Sequence, residues 1–96
     1  MISVETYTKI LLQKRGMRQA DLLAKMKELK LADDKTLVKQ KLNNALNIRM
    51  GYTWARRIEI ALELPDYSLI KMIGTPSSQE WQRIKLIKPM KEEKND

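Results

Sequence analysis

Two stretches of this chain carry the same apolar spacing, and it is the spacing of an α-helix. Val38, Leu42, Ala45 and Leu46 stand at i, i+4, i+7 and i+8, and Trp54, Ile58, Ala61 and Leu62 repeat the pattern. That spacing gathers four apolar side chains in one sector of a helical wheel. A strand, whose side chains alternate between faces, would scatter them. Two earlier segments follow the same rule. In residues 4–15, Val4, Tyr7 and Leu11 share a face with Leu12 at its edge; in residues 16–31, Leu22, Met26 and Leu29 form a stripe with Leu23 beside it. Leu, Lys, Glu, Gln, Met and Ala fill the runs between, and glycine and proline number three each. The expectation is an all-α fold. Ninety-six residues at 43% apolar content suffice for one modest core.

Capping residues set the expected boundaries. Ser3 is placed to cap the first helix and Gly16 to stop it, and the second should start near Arg18 or Gln19. Asp33 or Asp34 can cap the third, read over residues 34–47, and Thr53 the fourth, which Pro65 stops. Asp66 or Ser68 opens a short fifth helix through Ile73, ended by Gly74. Residues 1–74 are therefore assigned to one domain. Residues 75–96 read as a linker, a short helix and a disordered end. In that tail Ser77 and Glu80 have capping-box spacing, and Trp81, Ile84 and Ile87 or Lys88 give a narrow apolar edge. A helix so short cannot stand alone in water, so it docks on its own domain, on a second copy, or nowhere. Residues 90–96, MKEEKND, are expected to be disordered.

Charge points to the partner. The net charge is +7, the isoelectric point is near 9.8, and residues 1–74 alone carry +6. A basic excess within the folded part suits an anionic partner. Between Lys35 and Ile58 there is no acidic residue, although Lys35, Lys39, Lys41, Arg49, Arg56 and Arg57 all occur. On a helix over 34–47, Thr36, Gln40, Asn43 and Asn47 lie opposite the apolar sector, with Lys39 at their border. An ordinary solvated face would mix Lys with Glu. Hydroxyl and carboxamide groups instead match the hydrogen-bonding edges of bases. The helix is read as one inserted into nucleic acid; the competing reading is a packed helix with an amide-rich outer side. Arg18 stands at the start of the second helix, where a cation opposes the dipole and a docked phosphate would relieve it. A solvent-exposed arginine is the alternative there. Trp54 is read as core or core edge, with stacking on unpaired bases as the less favoured role.

Other chemistry is excluded or unsupported. The chain has no cysteine and no histidine, which removes disulfides, thiolate chemistry, ordinary zinc sites and His-dependent catalysis. Its acidic residues are scattered and it has no glycine-rich phosphate loop, so no enzyme activity, cofactor, metal site or small-molecule ligand is implied. No apolar run approaches the ~18 residues of a membrane span, and MISVETYTKI lacks a signal peptide's basic start and apolar middle. A cytoplasmic protein is expected.

Gly16-Met17-Arg18-Gln19-Ala20-Asp21-Leu22 resembles the opening of the helix-turn-helix in the lambda repressor/Cro-like (XRE-type) family of DNA-binding domains. The resemblance implies a five-helix layout over residues 4–73. In it, the helix beginning at Gln19 bridges the DNA backbone and the next helix reads the major groove. Two departures stand out. Leu23 replaces the alanine usual after the motif leucine, and KELKLADDK separates Met26 from Thr36 without the glycine of a short turn. The second helix should then run a turn further, to about Lys30.

The leading function is a sequence-specific double-stranded DNA-binding protein, a small transcriptional regulator. Arg18, Gln19, Lys35, Arg49, Arg56 and Arg57 would contact phosphates, and Thr36, Lys39, Gln40 and Asn43 would read bases. Useful specificity from so small a footprint takes two half-sites, hence a homodimer, with residues 67–88 as the candidate interface. The alternative is an interaction protein, antirepressor-like or accessory, that binds another regulator through a repressor-like domain. RNA binding is a third class, poorly served by few exposed aromatics.

Overall fold

The computed structural model describes residues 1–90. Among them the chain is all-helical: α1 (Val4–Lys14), α2 (Gln19–Glu28), α3 (Lys39–Asn47), α4 (Tyr52–Ala61), α5 (Ser68–Ile73) and α6 (Ser78–Leu86). None of the helices is long and apolar enough to cross a membrane. α4 lies centrally, packing on α2, α5 and α6, while α1 packs on α3 and α5. The core gathers Leu12, Leu22, Met26, Leu42, Leu46, Ile58, Leu69 and Ile70, and Ile84 of α6 belongs to it.

Ends are set by backbone hydrogen bonds as much as by the expected caps. Ser3 caps α1 as its sequence position suggests, its Oγ accepting from Thr6 N at 3.1 Å. α1 closes with Gly16 left-handed at φ +65°, Met17 N donating to Leu12 O and Gly16 N to Gln13 O. The same closure ends α2 at Lys30 (φ 53°) and α4 at Glu63 (φ 55°), without glycine. It stops α2 at Glu28, two residues short of the expected Lys30. α4 starts at Tyr52 with Gly51 as its cap, so Thr53 lies inside the helix. α1 is also rotated from its expected stripe: Val4, Thr8 and Leu12 are buried, and Tyr7 is exposed. Thr8 can be buried because its Oγ1 donates to Val4 O at 2.8 Å.

The largest correction concerns the third helix. It begins at Lys39, not at residue 34, after Val38 in extended geometry (φ −118°, ψ 152°). Asp33 caps a separate turn: its Oδ1 accepts from Thr36 N at 2.8 Å and its carbonyl from Leu37 N at 3.0 Å. Neither Asp33 nor Asp34 therefore caps α3. Leu37, 1% exposed, anchors this turn, while Val38 is only partly buried. A short acidic side chain that bonds the backbone ahead of it competes with helix initiation, and here it wins.

Glu59 is fully buried and organises the start of α5. Its Oε1 accepts from Tyr67 N (2.9 Å), and its Oε2 accepts from Leu69 N (2.8 Å) and Ile70 N (3.0 Å). Those are among the first amides of a helix, which have no partners of their own. Tyr67, left-handed at φ 65°, turns the chain into position.

α6 docks on its own domain. Ser77 and Glu80 form the expected capping box: Glu80 N donates to Ser77 Oγ at 3.2 Å and Ser77 N to Glu80 Oε1 at 2.8 Å. Trp81 meets Tyr67 edge-on with ring centroids 5.2 Å apart. Beyond α6, Met90 N donates to Leu29 O at 3.1 Å. The remainder of the expected disordered end, residues 91–96, lies outside the described residues.

Candidate nucleic-acid interface

α3 is held along its inner face and behind its C-terminus. Leu42, Ala45 and Leu46 bury its inner face. Behind its C-terminus, Met50 N donates to Glu5 Oε2 of α1 at 2.7 Å. Burial opposes ionisation of Glu5, but the Met50 amide, Ser3 and Lys9 together hold its carboxyl below the usual glutamate range. A carboxyl depressed by folding adds stability above its unfolded pKa, about 4.3, which is lost as pH falls through the folded value. Glu5→Gln is therefore expected to lower stability at pH 7 by about 1.5 kcal/mol, the lower end for a charged hydrogen bond. The deficit should shrink towards zero at acid pH, as read from urea midpoints across the range; a pH-independent deficit would contradict the assignment.

The outward face of α3 carries Lys39, Gln40, Lys41, Asn43 and Asn47, all exposed, with Asn44 partly buried. Its carboxamides pair at helical spacing. Gln40 Nε2 donates to Asn44 Oδ1 at 3.2 Å, Asn47 Nδ2 donates to Asn43 Oδ1 at 2.8 Å, and Lys9 Nζ of α1 donates to Asn47 Oδ1 at 3.1 Å. This ladder orders the side chains in advance and lowers the entropy lost on binding. It also leaves capacity: the second Gln40 amide proton and its Oε1 remain, as do both amide protons of Asn43. Asn44 and Lys9 were not anticipated. Asn44 could have been found from its i+4 relation to Gln40, whereas Lys9 comes from another helix and leaves no local signal.

Between α2 and α3 lies a groove of about 410 Å³ with Ala20, Leu23, Ala24 and Leu42 in its floor and Gln19, Lys27, Lys39 and Asn43 around it. Gln19, expected as a phosphate contact, and Lys39 and Asn43, expected as base readers, thus border one groove. Arg18 sits exposed at the α2 N-cap, where its backbone N–H donates to Asp21 Oδ2 at 2.8 Å. Lys35 and Thr36 fall in the turn before α3, and Arg49 is exposed just after it. Thr36 consequently is not on the helix face with Gln40 and Asn43. The α2–α3 connection, residues 29–38, is far longer than the short turn of the family resembled.

Arg56 and Arg57 do not point away from the body of the domain. Arg56 has a side chain 14% exposed and donates to Glu59 Oε1 at 3.0 Å and Asp66 Oδ1 at 3.2 Å. It stacks over Tyr67, 4.6 Å from the ring centroid. Burial works against its charge, but the two carboxylates outweigh it and raise its pKa. Arg57 lies over Trp54 at 5.2 Å with its Nε buried and unbonded among the described residues. Burial depresses its pKa, with Asp33 opposing. Trp54 itself is partly buried against the core. Of the cations beside α3, Arg18, Lys35, Lys39, Lys41 and Arg49 are exposed, whereas Arg56 and Arg57 are partly buried. No metal-holding cluster occurs among the described residues. Comparison with protein-family models, curated proteins and solved structures finds no match.

Proposed function

We propose that the chain is a sequence-specific double-stranded DNA-binding protein, a small transcriptional regulator that presents α3 to the major groove. The observation that carries this reading is the acid-free outer face of α3, where Gln40 and Asn43 stand in an ordered amide ladder beside Lys39. Gln40 and Asn43 keep the donors and acceptors to bond adenine N6 and N7, and Lys39 can reach guanine O6 and N7. Arg18, Gln19, Lys35 and Arg49 flank the helix as phosphate contacts, and Lys41 adds charge. Specificity from one short helix calls for two half-sites and a homodimer. Leu86, exposed on α6, gives residues 67–88 an apolar contact for it.

Selection of retained duplexes from a random pool by gel shift tests the reading. Binding should yield a defined site, and log K should fall against log salt with a slope of about −4 per protomer if roughly four phosphates are neutralised. Gln40→Ala or Asn43→Ala should relax preference at one base position at a cost of about 1–3 kcal/mol, and Arg49→Ala should shallow the slope without changing preference. Failure to enrich any sequence, or salt-independent retention, would sink it.

A further inference from the structure

The α2–α3 groove has a character that DNA contact alone does not require. Ala20, Leu23 and Ala24 give α2 an apolar stripe along the groove, with the buried Leu42 of α3 beneath its floor. Lys27 and Lys39 stand at its rim, and neither belongs to an ion pair among the described residues. An apolar cleft with a few polar groups is the usual form of a small-ligand site, and about 410 Å³ lies at the lower end of the ~300–1,000 Å³ such sites occupy. A folded protein partner would need about 800 Å² on each side. The stripe from Ala20 to Lys27 spans only about 10 Å of helix. Leu23 contributes more apolar surface to the groove than an alanine there would.

We infer that this groove is a binding site for an amphipathic organic monoanion, a carboxylate with an apolar body of medium length. The chain of the ligand lies along Ala20, Leu23 and Ala24, and its carboxylate meets Lys27 and Lys39. Charge complementarity selects the anion: two cations border the site and no acidic residue lines it. Because Lys39 and Asn43 also belong to the proposed base-reading face, the occupied groove excludes DNA. That second consequence, unlike the binding itself, rests on the DNA-binding reading.

The test is an amide NMR titration of the full chain with octanoate, with octanol as the neutral counterpart. Octanoate should produce saturable shifts confined to residues of α2 and α3 that line the groove, and octanol should bind at least tenfold more weakly. Lys27→Gln and Lys39→Gln, both exposed substitutions, should each weaken octanoate about fivefold. Ala24→Glu, at an exposed helical position that tolerates the change, should abolish it while circular dichroism stays unchanged. Equal affinity for octanol, or shifts spread over Ile10, Ile48, Met72 and Leu86, would overturn the site. The selected duplex separates the two claims: octanoate should release it at the concentrations that fill the groove. If the groove fills but no duplex is ever bound, the DNA reading falls and the site stands. If the duplex stays bound with the groove filled, competition is overturned.

Discussion

Glu59→Ala is expected to cost about 3–5 kcal/mol, the range for breaking a buried charge pair. A domain of this size has about 5–15 kcal/mol in total, so the variant should lose about a third or more of its stability if the parent lies near 10 kcal/mol or below. The carboxylate is wholly buried and accepts from three backbone amides at the start of α5 and from Arg56. Alanine would leave those amides unsatisfied and Arg56 with only the exposed Asp66 as partner. Glu59→Gln keeps the volume and an oxygen that can accept from Leu69 N and Ile70 N, but turns its NH₂ group towards the donors Tyr67 N and Arg56, so it should recover only part of the loss. Arg56→Ala should cost less, because the three amides keep their acceptor. It should also leave the salt slope of DNA binding unchanged, since its guanidinium is turned inward. Urea unfolding followed by tryptophan fluorescence measures all three. A Glu59→Ala midpoint close to the parent's would mean that α5 does not depend on this carboxylate.

Helical periodicity made the helices legible, because burial of a stripe is a property each segment carries by itself. Leu42, Ala45, Leu46, Ile58, Ala61 and Leu62 are all buried where the wheel placed them. What escaped was decided between segments. Arg56 and Arg57 look like free cations in one dimension; only the return of the chain through Asp66 and Tyr67 shows Arg56 enclosed. Glu59 falls one residue beyond the apolar Ile58 and could be recognised only from the amides brought to it by α5. Thr36 was assigned to α3 because the helical wheel continues smoothly through it, yet Asp33 gives its amide a local partner first. The candidate site followed the same division. The Gln40–Asn43 face was visible in spacing, while the groove beside it needed α2 and α3 to be set against each other.

Removing residues 75–96 should destabilise the domain itself by about 3–5 kcal/mol, a loss of roughly 12–40 °C in Tm at the 4–8 °C per kcal/mol expected for this size. Ile84 is fully buried in the same core as Leu22 and Ile58, and its loss alone is worth about 2–4 kcal/mol. Trp81 is only partly buried, so its edge-on contact with Tyr67 adds less, about 1 kcal/mol. Truncation would also uncover the face of α4 on which α6 rests. Ile84→Ala in the full chain isolates the core contribution from any role of the tail in association. Ile84 packs into the core and Trp81 meets Tyr67 of the same chain, so the Ile84→Ala deficit should not vary with protein concentration. Leu86 is 78% exposed, so its replacement by glutamate should leave stability unchanged and act only on the proposed dimer. Sedimentation equilibrium and denaturation at two protein concentrations distinguish these cases. An Ile84→Ala deficit that grows on dilution would mean that α6 is exchanged between copies, and an unchanged midpoint after truncation would mean that it does not support the core at all.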